Sequence, residues 1–391
     1  MMSRSRCVVV LLTALVLCLA LGASAMGAKS RAATGVPYTI GAIFSITGDA
    51  SSLGIPERNT AQMLEKMVND AGGINGHPLK ILIEDDRGDA AEALNAAMRL
   101  VERDNVLAII GPSRTGTTMA LLDYMERKQV PLISCAAAIQ IVEPVRKWVF
   151  KTPQSDRLAV QKLIPYLQSK KIKRVAILSD NTPFGKGGLA ELDSLLPGAG
   201  ISVVAKEEYG PKDASMESQL TNIKGTNAQA VICWGTPPGP AIVAKNMKQL
   251  SMTMPLICSH GVANATFLSV AGEAANGVVL PAGRLIVVDQ IAKSNLQKKV
   301  LEEYAKRYQA EFGKPADTFG GHAWDAVHII VRALREAGPD RAKIRTAIER
   351  TRGYVGTGGV FNFSAKDHNG LTKDAFVLVV VRDGKWTLLQ Q

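Results

Sequence analysis

The feature that constrains this chain most is an alternation of short aliphatic runs with amphipathic stretches of helical period. It repeats at near-constant spacing through the first two thirds of the sequence. Aliphatic runs fall at 38–44, 79–83, 106–110, 130–133 and 148–151, and again at 174–178, 201–206, 230–234 and 255–257. Helical periodicity fills 57–70, 90–103, 117–127, 156–169, 186–196, 215–223 and 239–250. Strand–helix–strand units repeated in this way build a parallel sheet through right-handed crossovers. Strands buried on both faces need aliphatic side chains, and only 5% of the residues are aromatic. With 391 residues there is chain enough for two such sheets, and Thr152-Pro153 marks a candidate crossing between them. The expected fold class is therefore α/β, two doubly wound parallel-sheet lobes. After a return crossing at Pro281-Ala282-Gly283 come helical stretches at 295–311, 319–337 and 340–350. Two late strands, 375–381 and 386–389, flank Arg382-Asp383-Gly384, a hairpin signal.

The first 25 residues read as an export signal. Arg4 and Arg6 precede an apolar run over 8–21, too short to span a membrane well, and Ala23-Ser24-Ala25 is a cleavage site of the A-x-A kind. Leu17 before Cys18 is not the small residue a lipid anchor would need, so cleavage and release are expected. Removing Arg4 and Arg6 lowers the net charge from +11 to +9. The remaining basic residues are scattered over amphipathic helices, which argues for a solvated surface and against a nucleic-acid partner. Cys135, Cys233 and Cys258 remain, each beside an aliphatic run and at no metal-ligand spacing, so they read as buried structural thiols.

No motif carries catalytic chemistry. Gly185-Lys186-Gly187-Gly188-Leu189-Ala190 has the G-x-G-x-x-A form of a dinucleotide fingerprint, with Glu207 downstream. Asn181 to Phe184 separate it from the strand, however, where a dinucleotide site needs an immediate tight turn. A glycine-rich helix start is the better reading, and no cofactor is expected. In Gly111-Pro112-Ser113-Arg114-Thr115-Gly116 the second glycine comes one residue too late for a serine elbow. Glu84-Asp85-Asp86 reads as strand-end acids and Asp89 as a helix cap, not a metal site. The loops after 110 and 133 hold small residues at strand C-termini, where open parallel sheets bind ligands and a following helix favours an anion. Phe184, Trp234 and His260 stand at later strand ends.

Taken together, in order, the motifs resemble those of the type I periplasmic binding proteins, specifically the leucine/isoleucine/valine-binding branch that feeds ABC importers. The resemblance rests on IFSITGDASSLG from Ile43, NDAGGINGHPL from Asn69, Ile110-Gly111-Pro112, Pro131-Leu132-Ile133-Ser134, SDNTPFG from Ser179, SHGVAN from Ser259 and GGHAWDA from Gly320. It implies two lobes joined by a three-crossing hinge: 37–152 with 282–362, and 153–281 with 363–391. It implies a periplasmic, monomeric, non-enzymatic protein that closes on a small carboxylate ligand and delivers it to permease subunits in the membrane. A ligand-sensing receptor of the same fold is the alternative. The implied contacts are Leu53, Thr115, Ala136 and Ala138 from the first lobe, with Arg114 beside them. The second lobe would supply Phe184, Trp234, Pro237 in the loop after it, and His260. Amino-acid binders of the branch usually carry an acid where His260 stands, a Thr at Ala138 and a Tyr at Phe184. A family cysteine pair corresponds to Gly88 and Arg114. Without the acid, an α-ammonium would lack its partner. The expectation is therefore a carboxylate without an α-amino group, aromatic or branched, with a branched-chain amino acid as the family default.

Overall fold

A computed structural model describes residues 33–389 of the chain. The export signal read over residues 1–25 lies outside the described residues.

The first sheet is five-stranded and parallel, in the order β2-β1-β3-β4-β5: β1 (Tyr38–Phe44), β2 (Leu79–Asp85), β3 (Ile109–Ile110), β4 (Leu132–Ser134) and β5 (Val149–Lys151). The helices between them are α1 (Ser51–Asp70), α2 (Ala90–Met98) and α3 (Thr115–Lys128). The chain then crosses to a second layer. There α4 (Asp156–Ser169), α5 (Pro183–Leu195), α6 (Glu217–Lys224), α7 (Gly239–Gln249) and α8 (Ala265–Ala271) alternate with five parallel strands. These are β6 (Arg174–Asp180), β7 (Ser202–Tyr209), β8 (Ala230–Trp234), β9 (Leu256–Cys258) and β10 (Val279–Ala282), in the order β7-β6-β8-β9-β10. Both sheets therefore wind the same way: the second strand lies outside the first, and the third on its other side. Each has a switch point beside its first strand, β1/β3 in one and β6/β8 in the other.

After β10 the chain returns to the first sheet. Helices α9 (Lys298–Phe312), α10 (Thr318–Ala337) and α11 (Arg341–Glu349) and the ribbon β11 (Tyr354–Val355) and β12 (Val360–Phe361) pack there. A third crossing leads to β13 (Val377–Arg382) and β14 (Lys385–Leu388), which extend the second sheet antiparallel from β10. Their two-residue link, Asp383-Gly384, has φ of 49° and 69°, the geometry that matches strand twist in a hairpin.

Alternation along β1 explains the layering. Ile40, Ala42 and Phe44 enter the core shared with α1, α9 and α10, whereas Ile43 enters the core shared with α2 and α3. The second sheet is likewise covered on both faces. Burying about 25 cal/mol per Å² of apolar surface on four sheet faces is the main force holding the two layers.

Several boundaries differ from the periodicity reading. Helix α1 begins at Ser51, six residues before the expected 57. A Cβ on Gly54 would fall 2.2 Å from the Ser45 carbonyl oxygen, so glycine lets the helix start press against the end of β1. Tertiary contact thus overrides the local signal of Gly54 and Pro56. Helix α5 begins at Pro183, with Thr182 as its cap. The glycines of the fingerprint-like stretch are there for packing. A Cβ on Gly185 would lie 1.9 Å from the Asp180 carbonyl oxygen, and one on Gly188 would lie 2.1 Å from the Trp234 indole nitrogen. The acids after β2 satisfy local donors. Asp85 accepts from Ile46 N at 2.9 Å and Thr47 Oγ1 at 2.6 Å, and Asp86 from Ser45 Oγ at 2.6 Å. Asp89 caps α2 through the Ala91 and Glu92 amides. Cys135, Cys233 and Cys258 are free and buried.

Candidate ligand-binding site

The loops at the C-terminal ends of both sets of strands face one cavity of about 340 Å³, within the range of small-molecule sites. Strand β1 leads to Leu53, β3 to Arg114 and Thr115, and β4 to Ala136. From the second sheet, β6 leads to Phe184, β8 to Thr236 and β9 to His260. The crossings close the remaining side with Pro153, Gln154, Gly283 and Phe376.

Two helices begin at this cavity. Thr115 is the first residue of α3, and Phe184 lies in the first turn of α5. The first amides of a helix have no intrahelical acceptor, and the helix dipole favours negative charge there. The two starts face each other closely: a Cβ on Gly116 would lie 3.4 Å from Pro183 Cγ. Thr115 Oγ1 is buried and has no hydrogen-bond partner among the described residues. Arg114 adds a guanidinium, paired with Asp49 at 3.2 Å and acting across the cleft on Asp180. Gly88 and Arg114, where the resemblance implies a cysteine pair, are neighbours here, since a Cβ on Gly88 would fall 3.1 Å from Arg114 Nη1.

The neighbouring hydroxyls are committed. Ser113 Oγ accepts from Ser45 N at 3.0 Å and donates to Glu57, locking the β1 loop to the β3 loop. Ser134 Oγ accepts from the Ala136 amide at 3.0 Å, so that amide is not free for a ligand.

The wall from the second sheet is aromatic. The His260 ring packs edge-on against Phe184 at 5.6 Å, Trp234 at 5.9 Å and Phe376 at 5.4 Å between ring centres. Among the described residues neither His260 ring nitrogen has a partner, and Nδ1 of His322, which also lines the cavity, has none. Burial pushes both imidazoles down to about 3, with the Lys151 charge acting in the same direction, so both are neutral at physiological pH. None of the side chains lining the cavity is a carboxylate.

Of the residues expected from sequence, Leu53, Arg114, Thr115, Ala136, Phe184 and His260 line the cavity. Ala138, Trp234 and Pro237 do not. Ala138 is fully buried among the helices behind the β4 loop, and Ala137 takes the cavity position. Trp234 ends β8 with its indole against Gly188, supporting Phe184 and His260 from behind. Thr236, one residue before Pro237, is the one that reaches the cavity.

Sequence reasoning missed Gln154, His322, Phe319 and Phe376, which line the cavity from the crossings and from α10. For His322 a signal existed: it and Asp325 are the polar residues of an otherwise apolar, buried run of α10. For the crossings no local pattern could reveal that three distant segments converge.

Comparison with known proteins agrees with this architecture. A family model described as periplasmic binding protein matches residues 37–385. The Leu/Ile/Val-binding protein BraC3 of Rhizobium johnstonii is 25% identical over 315 residues, covering 80% of this chain and 83% of its own length. An extracellular ligand-binding receptor of Rhodopseudomonas palustris HaA2, of known crystal structure, superposes with a TM-score of 0.86 at 25% identity, covering 91% of this chain and all of its own. LivJ of Streptococcus pneumoniae, a branched-chain amino acid transporter substrate-binding protein crystallised with isoleucine, superposes at 0.80 with 22% identity over 90% of this chain and 97% of its own. With the family model spanning residues 37–385, nearly the whole described chain, the chain belongs to the periplasmic binding protein family.

Proposed function

We propose that this protein is the substrate-binding subunit of an ABC importer and that its ligand is a small carboxylic acid without an α-amino group. The observation that carries the ligand class is the composition of the cavity wall. No carboxylate lines it, and the side chain where amino-acid binders of the branch carry an acid is the neutral His260. An α-ammonium enclosed there would find no anion, and an unpaired buried cation is costly. The relatives' names point to leucine, isoleucine and valine, and the cavity wall argues against carrying those ligands over.

The ligand carboxylate sits at the first turn of α3. It accepts from the Thr115 hydroxyl and the free amides of that turn, with Arg114 supplying charge. Each charge-assisted hydrogen bond of this kind contributes roughly 1.5–3 kcal/mol. The body of the ligand rests against Phe184. Trp234 acts from behind it and not as a contact, and Ala138 and Pro237 take no direct part.

The two lobes are residues 37–152 with 282–362, and 153–281 with 363–391. The sheet memberships support this division except at its last boundary: Phe363, Leu371 and Ala375 still pack on the first core, so the third crossing lies just before β13 and not at 362. Hinge closure about the three crossings encloses the ligand, and the closed form is what the permease receives. The protein works as a monomer in the periplasm after removal of residues 1–25.

A thermal-shift screen of the mature protein tests the reading. Amine-free aromatic and branched carboxylates are expected to raise the melting temperature. At one hundred times the dissociation constant a ligand adds about 2.7 kcal/mol. A shift with leucine, isoleucine and valine alone would return the protein to the amino-acid binders.

A further inference from the structure

We infer that His260 and His322, which line the same cavity with unpartnered ring nitrogens, together read a hydroxyl group on the ligand. The inference rests on the cavity being a carboxylate site and adds to it the second polar group of the ligand, making the substrate class a hydroxy acid.

The two histidines come from opposite layers. His260 follows β9 of the second sheet, and His322 lies in α10, which packs on the first. The segments that carry them are joined. Thr318 Oγ1, one turn before His322, donates to the Ala263 carbonyl at 3.2 Å, three residues after His260. The Thr152 hydroxyl donates to the His322 carbonyl at 3.0 Å, and the Asp317 side chain caps α10 through Gly320 N at 3.0 Å, fixing the turn that carries the ring. Both rings are more than nine-tenths buried, at 8% and 7% exposure, and both line the cavity. His260 Nδ1, His260 Nε2 and His322 Nδ1 are nevertheless left without partners among the described residues.

A buried polar group without a partner costs stability, and the surroundings of His260 (Phe184, Trp234 and Phe376) would accept an apolar side chain more readily. A polar ring retained there indicates a partner that arrives with the ligand. Each neutral imidazole offers one donor and one acceptor. A hydroxyl is itself both, so it can satisfy one nitrogen on each ring. A carbonyl or ether would leave every acceptor nitrogen unmet, and an ammonium would leave every donor unmet. The burial that keeps both rings neutral maintains this arrangement across physiological pH. Because the rings belong to different layers, the hydroxyl would also bridge them in the closed form.

The test uses matched acids on the mature protein by calorimetry: 4-hydroxyphenylacetate against phenylacetate, and 2-hydroxy-4-methylpentanoate against 4-methylpentanoate. In at least one pair the hydroxy acid is expected to bind roughly tenfold to hundredfold tighter. In His322→Leu that ratio should fall toward one, and His322→Gln should keep part of it. His260→Leu provides the same comparison if His322→Leu does not fold. The ring-nitrogen NMR signals of the two histidines should move with the hydroxy acid and stay in place with its partner. Equal affinities within both pairs for the wild type would overturn the inference while leaving the carboxylate site standing. No binding by any of the four acids would remove the carboxylate reading itself, and the inference with it.

Discussion

Replacing Gly188 by alanine tests whether the second wall of the cavity is built as described. The new methyl group would be placed 2.1 Å from the Trp234 indole nitrogen and 2.2 Å from Cδ1, where ordinary contact begins at 3.4 Å. Ring or helix must move by more than 1 Å. Trp234 is fully buried and has Phe184 at 6.3 Å and His260 at 5.9 Å, so the displacement runs toward the cavity. Alanine improves helix propensity in α5 by about 1 kcal/mol, whereas overpacking a close-packed core costs about 1–3 kcal/mol, and an approach of 2.1 Å belongs at the upper end of that range, about 2–3 kcal/mol. The expected net effect is a loss of roughly 1–2 kcal/mol, a fall of about 2–8 °C in melting temperature for a lobe of this size, together with weaker ligand binding. Urea denaturation and thermal shift read the first effect, and calorimetry the second. Gly188→Ala introduced into Trp234→Phe should cost much less, a non-additivity expected only for groups in contact. A Gly188→Ala protein at least as stable as the parent, or strict additivity with Trp234→Phe, would refute the placement of the indole on Gly188.

Three other outcomes follow from the site. His260→Asp places a carboxylate among three aromatic rings; it should lower the stability of the free protein and shift the preference toward amino acids over their amine-free analogues by at least roughly tenfold, read by calorimetry with both. An unchanged preference would dissociate this position from ammonium recognition. Arg114→Gln should weaken carboxylate binding by roughly tenfold and flatten its dependence on ionic strength; titrations at two salt concentrations check both, and unaltered affinity would remove Arg114 from the site. The histidines also set a pH dependence. Burial holds His260 and His322 at about 3 in the folded chain, below the ordinary value near 6.5, so their contribution is complete above pH ~6.5 and is lost as pH falls toward 3. Each should cost about 2 kcal/mol between pH 6.5 and 5 at about 1.36 kcal/mol per pH unit. Burial raises Asp317 and Asp325 to about 7, which acts in the opposite sense, fully present below about pH 4 and lost as pH rises toward 7. The informative quantity is therefore the difference between wild type and His322→Leu in urea unfolding at pH 7, 6 and 5. An identical slope in both would contradict a neutral buried His322.

What was legible in the sequence tracks how local each cause is. Strand and helix order came from periodicity, and the boundaries of α4 and β8 coincide with the readings 156–169 and 230–234. The starts of α1, α3 and α5 were read late. Each begins at a strand end and is held there by groups remote in sequence, as when Gly54 meets Ser45 or Thr182 caps α5 beside Asp180. Cavity-lining residues within the strand-end loops, such as Thr115 and His260, could be found because an open parallel sheet gathers such loops at the C-terminal ends of its strands. Choosing among adjacent residues failed where side-chain direction decides: Ala137 for Ala138, Thr236 for Pro237, and Trp234 turned away from the cavity. Gln154 and Phe376 became visible only when the crossings were assembled, because no spacing in the chain relates residue 154 to residue 376.

The most direct measurement is the calorimetric affinity of the mature protein for leucine against 4-methylpentanoate and for phenylalanine against 3-phenylpropanoate, pairs that differ only in the α-amino group. A wall without a carboxylate and with a neutral His260 predicts that in the pair whose side chain fits, the amine-free acid binds at least roughly a hundredfold tighter. Equal or tighter binding of the amino acid in that pair would contradict the account and mean that the cavity recognises an ammonium by groups other than those assigned to it.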